Sequence, residues 1–212
     1  MILSLTQALP LQDYDLSLLT KAELEHIKNG KIPLLQRCRA QSCFELRKMA
    51  SANSSAFKSV DAAVLRNQKG QPYFANMDYN ISISHKDDFC WLGLVNKPGI
   101  IGVDIEKLVQ PESSAVMFKH VANDFEHEHF RNLGDHYSKE MYLTILWSLK
   151  ESLYKCENAK HEDLSFLIDP FQETAQLNFN PGCQLEKRWS DRQIQIKYKI
   201  QNSYVCSSIY VF

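Results

Sequence analysis

Asp104 and Glu106 stand two residues apart in the apolar segment "IIGVDIEKL", residues 100 to 108, and alternate side chains of a strand share one face. Ile101, Val103 and Ile105 then point one way and Gly102, Asp104 and Glu106 the other, with Gly102 expected to leave open space beside the acids. Taken alone, the pair fits a half-solvated edge strand equally well. In "WSLKESLYK", Trp147, Glu151 and Lys155 recur every four residues on one helical face, with Lys150 and Tyr154 beside them. If that helix packs across the strand, Asp104, Glu106 and Glu151 become three carboxylates that repel one another unless a divalent cation neutralises them. All-oxygen ligands select a hard ion such as Mg²⁺, which keeps positions for substrate phosphates, and Lys150 and Lys155 suit those phosphates. In "NISISH", Asn80, Ser82 and Ser84 share a strand face, and His85 at its end could donate to a phosphate oxygen.

The elements that must position these groups are legible from periodicity. Residues 139 to 156 have no Gly or Pro and an apolar stripe at Met141, Ile145, Leu149 and Leu153, which predicts a helix. "YNISISH" and "FCWLGLV" predict a hairpin around the polar "KDD". Further upstream, Ile2 to Leu5 reads as a strand, Thr20 as the cap of a helix that Gly30 ends, and residues 33 to 49 as a longer helix. "NQKGQPYF" is a Gly/Pro turn and "NKPG", residues 96 to 99, a second one. The boundary is placed there, giving an N-terminal unit of residues 1 to 97 and a C-terminal unit of residues 98 to 212. Residues 110 to 138 are polar and acid-rich and take no assignment. The last third is β-rich, with "QIQIKYKI" alternating strictly. Each half is α+β, although no sequence repeat proves a duplication.

Composition narrows the function classes. A net charge of −1 on 212 residues argues against a nucleic-acid partner, which needs an excess of Lys and Arg. Basic residues nevertheless cluster between residues 26 and 48 (Lys28, Lys31, Arg37, Arg39, Arg47 and Lys48, against the single acid Glu45), as expected for a small polyanion held locally. The six scattered cysteines form no C-x-x-C pair and read as reduced packing residues of a cytoplasmic protein. "MILSLTQALPLQDYD" reads as neither a signal peptide nor a membrane anchor.

"ISISHKDDFCWLGLV", "IGVDIEKL" and "WSLKESLYK", in this order and at these separations, resemble the three signatures of the 4′-phosphopantetheinyl transferase superfamily, in particular its larger single-chain type that serves siderophore and peptide synthetases. The resemblance implies a monomer of two similar α+β subdomains, a pseudo-dimer, with coenzyme A bound in the cleft between them. It implies Mg²⁺-dependent transfer of phosphopantetheine from coenzyme A to a serine of an apo acyl or peptidyl carrier protein, with release of adenosine 3′,5′-bisphosphate; Mn²⁺ could serve in place of Mg²⁺. Asp104, Glu106 and Glu151 match the family's metal-binding acids, and Lys155 the lysine on the transferred phosphate. Ser84 and His85 match its coenzyme A contacts, and Gly70, Gln71 and Pro72 its phosphate-side turn. Lys28, Lys31 and one of Arg37 or Arg39 are the implied holders of the 3′-phosphate. Glu151 is the candidate base for the attacking serine. Two positions depart from the family: Gln71 stands where a lysine is usual, and Lys86 where a serine is usual. The readings left open beside transfer are another coenzyme A phosphate-handling enzyme and an idle relative that binds carrier domains.

His120, His127, His129 and His136 invite a zinc reading, but His127 and His129 diverge on a helix and no Cys completes a set. The segment is expected instead to be solvated and to face a partner. Val116, Phe118, Val121, Phe125 and Phe130 are either part of a carrier-docking surface or core. Trp189, Tyr198 and Tyr210 are expected in the core.

Overall fold

The structure, a computed structural model, describes residues 1–52, 63–157, 164–180 and 183–212. The chain divides into two compact units, Met1–Ile101 and Gly102–Phe212, each mixing helices with a sheet. The first unit runs β1 (Ile2–Gln7), α1 (Lys21–Lys28), α2 (Pro33–Ser51), β2 (Val64–Arg66), β3 (Pro72–Phe74), β4 (Tyr79–Lys86) and β5 (Phe89–Asn96). The hairpin expected around "KDD" is β4–β5, closing at Lys86 opposite Phe89 with Asp87 at a left-handed φ of 51°, a conformation that Asp tolerates better than most residues. β1 pairs along the other side of β5, giving the order β1-β5-β4. α2 opens on Pro33, whose missing N–H costs nothing in a first turn, and buries Cys38, Ala40, Cys43, Leu46 and Ala50. "NQKGQPYF" is the turn between β2 and β3, with Gly70 at φ 79°.

The second unit runs β6 (Ile100–Lys107), α3 (Pro111–Val121), α4 (Asp124–Asn132), α5 (Lys139–Glu157), β7 (Leu164–Asp169), β8 (Thr174–Phe179), α6 (Gln184–Trp189), β9 (Ile194–Gln201) and β10 (Tyr204–Val211), with sheet order β6-β10-β9-β8-β7. The unassigned polar stretch therefore holds two helices. Phe118 and Val121 are core, Val116 and Phe125 are exposed, and Phe130 packs against Phe118 and Tyr142 at ring distances of 5.4 and 4.9 Å. Two of the four histidines there are half-buried and packed, His127 meeting the Phe118 ring at 4.2 Å and His129 Nε2 accepting the Ile168 N–H at 3.0 Å, whereas His120 and His136 are exposed as expected of a solvated segment. Trp189 and Tyr198 are buried as expected, whereas Tyr210 is half-buried and stacks on Phe212. All six cysteines are free thiols and five are buried. Among the described residues no helix is long and apolar enough to cross a membrane.

α5 departs most from its sequence pattern. A stripe predicts one buried face, yet Tyr142, Leu143, Ile145, Leu146, Leu149 and Leu153 are all fully buried, as are Thr144, Ser148 and Ser152. The small residues explain this, because they let strands approach on sides that would otherwise be wet. Ser148 and Ser152 each meet the Ser207 hydroxyl on β10 at 2.7 Å. On β6 the approach is closer still: a Cβ added to Gly102 would lie 1.9 Å from the Ser152 carbonyl oxygen and 2.7 Å from the Cys156 nitrogen. The expected open space beside the acids does not exist, since Gly102 is filled by helix backbone and Asp104 is 3% exposed. Gly102→Ala is expected to destabilise the fold by about 3 kcal/mol, as overpacking against unyielding backbone does, measured by urea unfolding.

The two units share a pattern that the sequence conceals. Discounting α3 and α6, each has the element order β-α-α-β-β-β-β. In each, the shorter helix opens with a capping box, Thr20 with Glu23 and Asn123 with Glu126. Both glutamates are completely buried, and each binds a cation on the long helix 24 residues later, Arg47 at 2.5 Å and Lys150 at 2.7 Å. Each also accepts a backbone N–H from the following strand, Val64 at 41 residues' separation and Phe166 at 40. Each cation spends a further hydrogen on a carbonyl 29 residues before it, Leu18 and Val121. One buried carboxylate thus joins a short helix, a long helix and a strand, twice over.

Candidate active site

In the second unit, β6 and α5 bring four of the predicted side chains together. Lys155 Nζ donates to Asp104 Oδ1 at 2.6 Å, with the lysine side chain 28% exposed and the aspartate 4%. Trp147 Nε1 donates to Glu106 Oε1 at 3.3 Å. The Glu151 carboxyl is pushed above the ordinary carboxylate range, first by burial and then by the charge of Asp104, with Glu106 adding to it and Lys155 opposing. Burial likewise pushes the Cys206 thiol up to about 12, with Asp104 adding to it. The helix repeat i, i+4 that sets Trp147, Glu151 and Lys155 on one face therefore lays them along the acids of β6.

Among the described residues no three His, Cys, Asp or Glu side chains converge as a ready-made metal centre. The donor set still fits a hard divalent cation in chemistry and in charge: three carboxylates, one of them held back from ionising by burial first and then by the charges of the other two, are an excess of negative charge that such an ion would relieve. Lys150 lies elsewhere. Its ammonium is 3% exposed and is taken up by Glu126 and the Val121 carbonyl, so the structure gives it a structural partner where the sequence suggested a phosphate contact.

The first unit contains an open cavity of about 540 Å³ lined by His26, Leu35, Cys38, Arg39, Ser42, Arg66, Gly70, Ile83 and His85. Of the predicted residues, Arg39, Gly70 and His85 line it. Lys28 and Lys31 are exposed and outside its wall; the half-buried Arg37, Gln71 and Pro72 and the buried Ser84 also lie outside it. Gln71 accepts from Asn67 Nδ2 at 2.9 Å within the turn, and Ser84 is 6% exposed on β4. His26 and Arg66 were not singled out by sequence. The faint signal for both was position: Arg66 stands next to the "NQKGQPYF" turn, and His26 lies two residues before Lys28 on α1.

The cavity is electropositive. His26 is lowered to about 4 by burial and then by the charges of Arg66, Arg39 and His85. Its Nε2 is buried without a hydrogen-bond partner, while its backbone oxygen accepts from Arg39 Nη1. The folded protein thus resists putting a proton on this ring and the unfolded chain does not. Stability should fall as pH drops from about 6.5 toward 4 and level off below, and His26→Gln should flatten that limb in unfolding curves taken across the range.

The model of the 4′-phosphopantetheinyl transferase superfamily matches residues 100–209, just over half of the chain. The chain belongs to that superfamily. The superfamily match contains Asp104, Glu106, Glu151 and Lys155 and stops short of every cavity residue. Similar solved structures include a Chronobacterium ammoniagenes ACPS–CoA complex (14% identity, 55% of this chain and 98% of that one, TM-score 0.43). Others are the holo-ACP-synthase of Plasmodium yoelii (14%, 53% and 92%, TM-score 0.41) and the Helicobacter pylori holo-[acyl-carrier-protein] synthase in complex with coenzyme A (13%, 53% and 100%, TM-score 0.40). No curated protein matches the chain.

Proposed function

We propose that this superfamily member transfers the 4′-phosphopantetheine group of coenzyme A to the serine hydroxyl of an apo acyl or peptidyl carrier protein. The observation that carries this reading is Glu151, a carboxylate raised by burial and by the charges of Asp104 and Glu106, beside a lysine paired with one of those acids. Coenzyme A offers a pyrophosphate and a phosphomonoester; we assign the pyrophosphate to the acid-lysine group and the phosphomonoester to the cationic cavity.

In the reaction the serine Oγ forms a bond to the pantetheine-side phosphorus and the bond from that phosphorus to the bridging oxygen breaks, releasing adenosine 3′,5′-bisphosphate. A serine proton must leave as the bond forms, and a carboxylate of raised proton affinity such as Glu151 is suited to take it. Lys155 places a positive charge where the departing phosphate gains negative charge. Asp104, Glu106 and Glu151 would hold Mg²⁺, or Mn²⁺, which supplies further neutralisation of the phosphate oxygens. Arg39, Arg66 and His85 supply the charge expected to hold the phosphomonoester. Six free thiols agree with a cytoplasmic setting.

The test is to incubate the protein with coenzyme A, Mg²⁺ and several apo acyl and peptidyl carriers and follow adenosine 3′,5′-bisphosphate by chromatography. Carrier-dependent release is expected. No release with any of the carriers would discard the reading.

A further inference from the structure

Two donors of different kind hold the acids of β6 to α5. Trp147 gives Glu106 a neutral indole N–H at 3.3 Å, and Lys155 gives Asp104 a full positive charge at 2.6 Å. An ionised carboxylate has two oxygens and about four acceptor sites, so the indole can stay on Glu106 while a metal ion takes the remainder. The ammonium on Asp104 is a different neighbour, because two cations on one carboxylate repel each other. The aspartate side chain is 4% exposed and the lysine 28%, so water screens that repulsion only in part. Lys155 also offsets part of the repulsion that Asp104 and Glu106 exert on Glu151. It does for the three carboxylates, with half the charge, what a divalent ion would do. Lys150, on the same helix, shows what a permanent pair looks like, with its side chain 3% exposed against a fully buried Glu126. Lys155 retains access to solvent on a flexible four-carbon stem, and can move away from its acid.

We infer that Lys155 is an exchangeable counter-ion: it holds Asp104 until a divalent cation binds the acids, and is then released to the pyrophosphate of the donor. The inference rests on the metal and donor assignments proposed above and adds a coupling between them. A metal ion has to drive one cation off Asp104 to enter, and the donor supplies a new partner for the cation released. Each ligand therefore eases binding of the other, and by linkage the gain is the same in both directions. The sign of one effect is diagnostic. A lysine that served only to meet phosphate would leave metal affinity unchanged when it is removed in the absence of coenzyme A, whereas removal of a competing counter-ion tightens it.

The experiment measures Mn²⁺ binding to the full chain by electron paramagnetic resonance without coenzyme A, for the wild type, Lys155→Met, Lys155→Arg and Trp147→Phe. Lys155→Met is expected to bind Mn²⁺ roughly tenfold more tightly than the wild type, the order of one charge-assisted contact. Lys155→Arg keeps the charge and should stay close to the wild type, and Trp147→Phe, which removes a neutral donor, should bind no more tightly. Because Lys155→Met leaves Asp104 without its cation, the wild type supplies a second readout that needs no variant to fold: the Lys155 Cε–H resonances, assigned with Lys155→Arg, should shift when Mg²⁺ is added in the absence of coenzyme A. Equal or weaker Mn²⁺ binding by Lys155→Met, equal tightening by Lys155→Arg, or Lys155 resonances unmoved by saturating Mg²⁺ would each overturn the inference and leave the metal assignment standing. If the wild type binds neither ion, the metal assignment falls and the inference with it.

Discussion

Glu151→Gln is expected to lower kcat/KM for carrier modification by at least about 100-fold, the order seen when one preorganised electrostatic or acid-base group is removed, while leaving the fold as stable as the wild type or more so. The second half of the prediction follows from the charge distribution. Glu151 is half-buried, and its ionised form is opposed by burial and by Asp104 and Glu106 more than Lys155 favours it. The isosteric amide keeps the shape and removes the repelled charge, so the substitution relieves a strain that the active protein retains. A residue kept for packing or a structural ion pair would behave in the opposite way. Steady-state kinetics and thermal unfolding on the same preparation distinguish the two: a variant that is destabilised yet active would remove Glu151 from the chemistry.

Lys150→Met, one position earlier on α5, is expected to do the reverse. It leaves the Glu126 carboxylate fully buried with its cation gone, and breaking one side of a buried pair costs about 3–5 kcal/mol. The protein that remains folded should transfer at near the wild-type rate with an unchanged KM for coenzyme A, because the Lys150 ammonium already serves Glu126 and the Val121 carbonyl. Combining Lys150→Met with Glu126→Gln should recover part of the loss, since the double variant carries no unpaired charge in the core. A raised KM in a Lys150→Met protein of full stability would instead return this lysine to the phosphates. Arg47→Met should show the same stability signature in the first unit, where Glu23 holds the equivalent place.

These two neighbours on one helix show what the sequence could and could not convey. The alternation in "IIGVDIEKL" and the i, i+4 spacing of Trp147, Glu151 and Lys155 are local periodicities, and local periodicity survives into the structure as shared faces; hence the convergence of Asp104, Glu106, Glu151 and Lys155 was foreseeable without coordinates. Lys150 sits beside them in sequence and looks the same by charge. Its fate is decided by Glu126, 24 residues away in a stretch whose acids and histidines resemble a solvated surface. Nothing short of the fold reveals that pairing, although Asn123 and Glu126 do carry the spacing of a capping box. Gly102 misled for the same reason: an absent side chain reads as space, whereas here helix backbone fills it. The cavity shows a third limit. His26, Arg39, Arg66 and His85 come from four different elements, so the cluster of basic residues between positions 26 and 48 could not by itself reveal which side chains line the cavity: Arg39 does, while the exposed Lys28 and Lys31 do not.

The repeated carboxylate link between short helix, long helix and strand is a structural frame common to both units. Both units need a buried Glu and its cation to join helix pair to sheet, and both have it. The transfer proposed above would depend on further residues beside that frame. In the second unit these are Asp104 and Glu106 on the first strand and Glu151 and Lys155 on the long helix, next to the frame's own Lys150.

The most direct test is the intact mass of an apo carrier protein after incubation with this protein, coenzyme A and Mg²⁺. The account predicts the gain of one phosphopantetheine on the carrier serine, lost when that serine is replaced by alanine and lost with Glu151→Gln. An unmodified carrier mass across a panel of acyl and peptidyl carriers, with coenzyme A shown to bind, would contradict it.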